Sequence, residues 1–209
     1  STLGRCLIRL LDSTSGSVML QNPEDGSCID VTKVDAATMK DLRKRVQIVF
    51  QDPYSCLNPR LSVWELIAEP LMVNRVYSDK AAMRKRIREL MSTVGLAERL
   101  ENSYPHELDG GRRQRIGIAR SLALNPEFIV LDEPVSALDV CIQAQVLNLL
   151  NELQKEFNYT YVFISHNLSV VKHVSDRIAV MYLGQIAELS EYRELFKNPM
   201  HPYTQALLS

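Results

Sequence analysis

Nothing in this 209-residue sequence is apolar for long enough to cross a membrane: its longest apolar runs fall far below the ~18 residues that a spanning helix requires. A signal-peptide pattern is lacking as well, since Ser1–Leu11 has neither the hydrophobic run nor the cleavage site. Net charge is nearly absent: 24 basic and 25 acidic residues leave −1, so no basic excess points to nucleic acid and no acidic block to disorder. Cysteine is scarce. Cys6, Cys28, Cys56 and Cys141 share no metal-ligand spacing, and they read as reduced thiols in a reducing compartment. There is no internal repeat and no low-complexity tract. An apolar fraction of 46% and a charged fraction of 23% are ordinary for a globular protein. A chain of this size buries roughly 70% of its unfolded surface and needs no covalent staple.

Periodicity supplies the elements. Leu3, Leu7, Leu10 and Leu11 are spaced as the buried stripe of a helix that stops at Thr14-Ser15-Gly16. Ser17–Gln21 and Cys28–Val31 read as short strands around the turn residues Asn22-Pro23-Glu24-Asp25-Gly26. A charged helix over Met39–Arg45 leads into the apolar strand Val46–Phe50. A helix from Val63 to Leu71 is expected to end near Pro70. The next helix carries the stripe Met83, Ile87, Leu90, Met91 and Val94, with Gly95 closing it. Its outer face, Arg84, Lys85, Arg86 and Arg88, reads as a solvated helix face. Leu108-Asp109-Gly110-Gly111 opens a helix running to about Leu124. Strand Phe128–Leu131, helix Gln143–Phe157, strand Tyr161–Ile164, a helix near Leu168–Val174 and a hairpin about Gly184 follow. Short apolar strands alternating with amphipathic helices imply an α/β protein whose largely parallel sheet is covered on both faces. The helical stretch after Pro53 reads as a subdomain inserted into that core, over residues 53–110.

Several segments carry chemistry. The strand Phe128–Leu131 ends in Asp132-Glu133, at the strand end where open α/β sheets bind ligands. An acid there can hold Mg²⁺, and its neighbour can orient an attacking water. A helix N-cap would explain the aspartate equally. Gly110-Gly111 before a helix leaves N–H groups open to an anion, or forms a plain turn. His166 after Tyr161–Ile164 can donate to a phosphate oxygen, or serve structure alone. Gln51 after Val46–Phe50 can touch a metal or a water. Ser136-Ala137-Leu138-Asp139 is a polar turn just past Glu133.

Taken in order, these segments resemble the ATP-binding cassette (ABC) transporter ATPases over essentially the whole chain. The resemblance implies an α/β P-loop NTPase (RecA-like) core with a mostly parallel sheet, an inserted helical subdomain and a small N-terminal antiparallel β portion. It makes Gln51 the Q-loop glutamine, Asp132 the Walker B aspartate, Glu133 the catalytic glutamate and His166 the switch histidine. Ser136–Asp139 matches the D-loop, so Asp139 falls beside nucleotide. Leu108, Asp109, Gly110, Gly111 and Arg112 match the signature, which in this family binds the ATP of the partner subunit. Ser1 matches the last position of a G-x-x-x-x-G-K-[ST] loop, the hydroxyl that ligates Mg²⁺, with Thr2 beside it. The loop's glycines and lysine would precede Ser1, so the chain is expected to be an N-terminally clipped domain.

The signature departs from the family pattern at two places. Asp109 stands where the family has Ser, and Arg112 where it has Gln. A carboxylate there faces like charge from phosphate or caps its own helix. The run Phe50–Arg60, then Ile67-Ala68-Glu69-Pro70-Leu71 and the ending His201–Leu208, is similar to the dipeptide, oligopeptide and nickel importer ATPases. That likeness implies ATP and Mg²⁺ as cofactors, a second ABC ATPase subunit and membrane permease subunits as partners, and an extracytoplasmic solute-binding protein indirectly. It implies no nucleic acid, and a peripheral place on the cytoplasmic face of the membrane. Tyr54 and Trp64 are candidates for the permease contact, with a core role the alternative for Trp64. A degenerate cassette without ATPase activity and a soluble, non-transport ABC ATPase are the competing readings.

Overall fold

The computed structural model describes residues 1–22 and 25–208, so Pro23 and Glu24, in the expected turn, lie outside the described residues. The chain divides into two compact units, Ser1–Ile164 and Ser165–Ser209.

In the first unit, helix α1 (Thr2–Leu7) is followed by the strands β1 (Met19–Gln21) and β2 (Cys28–Asp30), which pair antiparallel. Helix α2 (Ala36–Arg45) starts at Asp35, whose carboxylate accepts the Thr38 N–H at 2.9 Å. It runs directly into β3 (Val46–Val49). Then come α3 (Pro53–Cys56), α4 (Val63–Val73), α5 (Lys80–Thr93), short 3₁₀ turns at Glu98–Leu100 and Pro105–Glu107, and α6 (Gly110–Leu122). No strand occurs among the described residues between β3 and β4 (Phe128–Asp132). Helix α7 (Val140–Phe157) and β5 (Thr160–Ile164) complete the unit. β3, β4 and β5 form a parallel sheet in that order, with Val49 opposite Leu131 and Asp132 opposite Ile164. Ile8, Val46 and Val130 are buried against it with Ile48, Val162 and Ile164.

The helical stretch has a core of its own. Leu66, Ile67 and Leu71 of α4, Ile87, Leu90 and Met91 of α5, and Ile116 and Leu122 of α6 are all fully buried. The stripe expected of α5 is therefore the buried one. Its cationic face does more than face solvent. Arg84 and Arg88 reach the two oxygens of Glu101 at 3.2 and 3.3 Å, and that carboxylate is 7% exposed.

Two expectations fail here. Helix α1 is only one and a half turns long, and Leu3, Leu10 and Leu11 are exposed. The helix packs instead through Gly4 and Ile8. A Cβ on Gly4 would lie 2.8 Å from Val130 Cγ1 and 2.9 Å from Ile164 Cδ1, so backbone meets the sheet where the leucine stripe was expected to. Helix α4 does not end near Pro70 but continues to Val73, and the burial of Leu71 beyond the proline holds the last turn in place. A capping box at the other end, Ser62 with Glu65, fixes its start.

In the second unit, α8 (Leu168–Val174) precedes the antiparallel pair β6 (Arg177–Tyr182) and β7 (Gln185–Glu191), then α9 (Tyr192–Lys197) and α10 (Pro202–Leu208). The hairpin turns at Leu183-Gly184, both at positive φ. Val171, Ile178, Val180 and Leu195 form its core. No helix among the described residues is long and apolar enough to cross a membrane.

Candidate functional site

The sheet register builds the site. β3 and β4 run parallel with Val49 opposite Leu131, so the residues just past them emerge side by side at one sheet end. Gln51 and Glu133 are those residues, and Gln51 Nε2 donates to Glu133 Oε2 at 2.9 Å. Beside them, Ser1 Oγ donates to Asp132 Oδ1 at 2.9 Å. Ser1 is the N-cap residue of α1, and Asp132 closes β4 at 2% exposure. Four of the residues singled out from sequence therefore meet in two adjacent hydrogen-bonded pairs, an oxygen-rich edge at the carboxyl ends of parallel strands.

Glu133 is held in an uncommon backbone conformation. Its φ of 48° lies in the left-handed region, which costs a non-glycine residue of the order of 1 kcal/mol or more. Three contacts fix it there. Its N–H donates to the Ile164 carbonyl at 2.9 Å, and its carbonyl accepts from Ser136 N at 3.2 Å and Ser136 Oγ at 3.1 Å. In this conformation the Glu133 side chain accepts from Gln51. The turn Ser136–Asp139 then feeds α7, whose N-cap is Asp139, accepting the Ile142 N–H at 3.1 Å. Asp139 thus has a capping role in this chain.

The Gly110-Gly111 segment is packed against that same turn. A Cβ on Gly110 would lie 3.0 Å from Leu138 Cδ2, and one on Gly111 would lie 2.5 Å from Ile142 Cγ2. Gly111 thus permits close approach to the start of α7, and a side chain at Gly110 would require Leu138 to give by a few tenths of an ångström. Asp109 caps α6 and accepts the Arg112 N–H at 2.7 Å. The Arg112 guanidinium returns to the same carboxylate, Nε to Oδ2 at 3.4 Å. Asp109 and Arg112, the two positions read from sequence as departures from a signature, are therefore one another's partners. Leu108 is buried, and its carbonyl accepts from Arg113.

Thr2 opens α1 and is exposed. His166 belongs to the second unit, where it is exposed and precedes Asn167, the N-cap of α8. Of the two aromatics, Tyr54 is 67% exposed while Trp64 is part-buried, with its indole Nε1 shielded from solvent. Sequence reasoning passed over Arg113, which the structure buries. The signal was present as a run of three arginines around Gln114, but a charge run by itself does not show which member turns inward.

Residues 1–136 match the ABC transporter family. The chain belongs to the ABC transporter family. Its fold is accordingly that of an ABC cassette, and solved relatives agree. The ATP-binding cassette MJ0796, in a dimeric post-hydrolysis state bound to ADP and Pi, is similar over 92% of this chain and 80% of its own, with a TM-score of 0.78 and 30% identity. Among curated relatives, the oligopeptide transport ATP-binding protein AppF of Bacillus subtilis (strain 168) is 53% identical over the whole chain, which covers 62% of AppF. The oligopeptide transport ATP-binding protein OppF of the same organism is 51% identical, with 67% of it covered. OppF of Salmonella typhimurium is 48% identical, with 61% covered. This ABC chain thus spans about three fifths to two thirds of the length of the curated relatives it matches.

Proposed function

We propose that this chain is the nucleotide-handling part of an ABC importer ATPase that couples ATP hydrolysis to the uptake of peptides. The observation that carries the reading is the pairing of Gln51 with Glu133, next to Ser1 with Asp132, at one end of the parallel sheet. Identity near 50% to oligopeptide transport ATP-binding proteins supports the solute class.

Among the described residues, no cluster of three His, Cys, Asp or Glu side chains is placed to hold a metal. A cation here would be held by Ser1 and Asp132, with Gln51 the third candidate ligand and phosphate and water supplying the rest. The donors fit Mg²⁺ in kind, since a hydroxyl, a carboxylate and an amide carbonyl are all hard oxygens, and the structure brings the Ser1 hydroxyl and the Asp132 carboxylate together. When bound, the ion would offset the charge of the phosphates.

In this reading Glu133 accepts a proton from, or orients, the attacking water, while Gln51 holds its carboxylate in line. Leu108–Arg112 serves the nucleotide of a second cassette, Asp139 and Thr2 stand near nucleotide in the closed pair, and His166 is the candidate switch histidine. Residues 53–110 act as the inserted helical subdomain that meets the permease at the cytoplasmic face. The test uses the full-length protein. Glu133→Gln keeps the shape but not the base, so ATP turnover should fall at least about a hundredfold while ATP binding persists. An ATP-trapped dimer should appear on size exclusion. Unchanged turnover would overturn the assignment.

A further inference from the structure

We infer that Arg113 is a positioning residue, stacked on Tyr54 so that the segment following Gln51 and the turn preceding Gly110-Gly111 move as one body. The inference rests on the function proposed above, in which both segments serve nucleotide. Arg113 lies on α6 and is 5% exposed. A buried guanidinium is costly unless its charge and donors are met. Among the described residues no carboxylate pairs with it. Its Nε donates to the Pro105 carbonyl at 2.7 Å, and its NH2 group donates to the Leu108 carbonyl. NH1 is buried without a partner. What meets the charge is the ring of Tyr54, whose centroid stands 3.5 Å from Cζ. The negative face of an aromatic ring attracts a cation, and the planar guanidinium stacks on it well.

Tyr54 lies on α3 and is 67% exposed, so its ring is not part of a packed core. It is tied to the site through its own backbone, since Asp52 accepts the Tyr54 N–H at 2.8 Å and Asp52 directly follows Gln51. The connection therefore runs from Gln51 through Asp52 and the Tyr54 ring to Arg113, and from Arg113 to the carbonyls of Pro105 and Leu108 ahead of Asp109. A second clasp lies two turns along α6. Arg120 donates to the Cys56 carbonyl at 3.3 Å and pairs with Glu69. Between the two arginines the contact is hollow. A Cβ on Gly117 would meet nothing within 4 Å, and a cavity of about 240 Å³ is lined there by Cys56, Leu57, Gln114 and Gly117. The arginine clasps bridge α3 and α6 on either side of that hollow.

The test compares Tyr54→Phe and Tyr54→Leu in the full-length protein. Tyr54 is exposed, so neither change empties a core. Hydrogen exchange is read on peptides covering residues 105–111, with α5 as the internal control. Tyr54→Leu should speed exchange at 105–111 about fivefold with α5 unchanged, and Tyr54→Phe, which keeps the ring face, should match wild type. In the same proteins kcat for ATP should fall severalfold in Tyr54→Leu at constant KM, because Ser1 and Asp132 are untouched, and Tyr54→Phe should restore it. Unchanged exchange in Tyr54→Leu, or equal acceleration in both variants, overturns the stacking. Faster exchange with unchanged kcat overturns the positioning role. A wild-type protein without ATP turnover overturns the proposed function instead, and the exchange measurement still decides the stacking.

Discussion

If Asp109 and Arg112 offset one another, removing either alone should disturb nucleotide-driven pairing of cassettes in opposite directions. The guanidinium Nε stands 3.4 Å from the carboxylate Oδ2. At that distance two unit charges interact by about 1 kcal/mol in water and about 5 kcal/mol at an effective dielectric of 20. Their side chains are 47% and 59% exposed, so the lower figure governs, in line with about 0–1 kcal/mol for exposed pairs. On the proposed function, Arg112→Gln leaves a carboxylate without its cation facing an incoming phosphate. Asp109→Ser leaves a bare guanidinium. An imbalance of about 1 kcal/mol is a change of about fivefold in the closed fraction. Arg112→Gln should therefore weaken ATP-driven dimerisation about fivefold and Asp109→Ser strengthen it by a similar factor. The double variant should return to within about twofold of wild type. Helix α6 survives each change, since serine is also a good cap and the capping N–H of residue 112 belongs to the backbone. The assay is dimer fraction by size exclusion in a Glu133→Gln background, at 0.1 M and 1 M salt, where the screening length falls from about 10 Å to about 3 Å. Both effects should shrink at high salt. Shifts in the same direction, or shifts indifferent to salt, would refute the reasoning.

Two further outcomes follow from the structure. Gly4→Ala sets a methyl 2.8 Å from Val130 Cγ1 and should cost about 1–3 kcal/mol, whereas Gly117→Ala enters open space within a helix and should gain about 0.5–1 kcal/mol; denaturant titration of both against wild type checks the contrast. The Asp30 carboxyl, held down chiefly by the Thr32 hydroxyl with Lys33 and the N–H groups of Thr32 and Val18 assisting, is lowered from 3.8 to about 2. A depressed carboxyl stabilises the fold above its unfolded value and loses that contribution as pH falls, so the β1–β2 hairpin should weaken between about pH 4 and pH 2. Carbon-detected NMR titration of Asp30 checks this, and a midpoint near 3.8 would contradict it.

What the sequence made legible were features in which one local signal acts alone. The dense apolar strands became β3, β4 and β5, and the five-residue stripe of α5 became its buried face. Gln51 and Glu133 were each singled out at the end of a strand, but their hydrogen bond to one another follows from the order and register of β3 and β4, which the sequence does not state. Other features depended on what lay across the chain. The leucines of α1 had the right spacing, but Gly4 offered closer contact with Val130 and Ile164, and a glycine carries no apolar signal to count. Pro70 looked like a stop because its missing N–H is a local fact, while the burial of Leu71 that carries α4 past it is a tertiary one. Helices α9 and α10 are too short for a period to declare itself.

The glycine pair is the place where local chemistry and tertiary packing give different reasons for the same residues. Read from sequence, Gly110-Gly111 exposes backbone N–H groups to an anion. In the folded chain the first reason for them is steric: Leu138 and Ile142 stand where side chains would have to go. Asp109 already occupies the Arg112 N–H, so the helix start does not meet a phosphate with all of its donors open. The two reasons are compatible only if the packing is what aims the turn. Leu138 and Ile142 flank Asp139 in the turn and helix that follow Glu133, so the glycine segment and the segment carrying the catalytic candidate are fitted to one another inside a single chain. Gln51 reaches Glu133 from one side, and Arg113 reaches Tyr54 from the other. The candidate signature, the turn after Glu133 and the segment after Gln51 are thus joined pairwise by contacts, and the Tyr54 variants test whether a displacement at one is passed to the others.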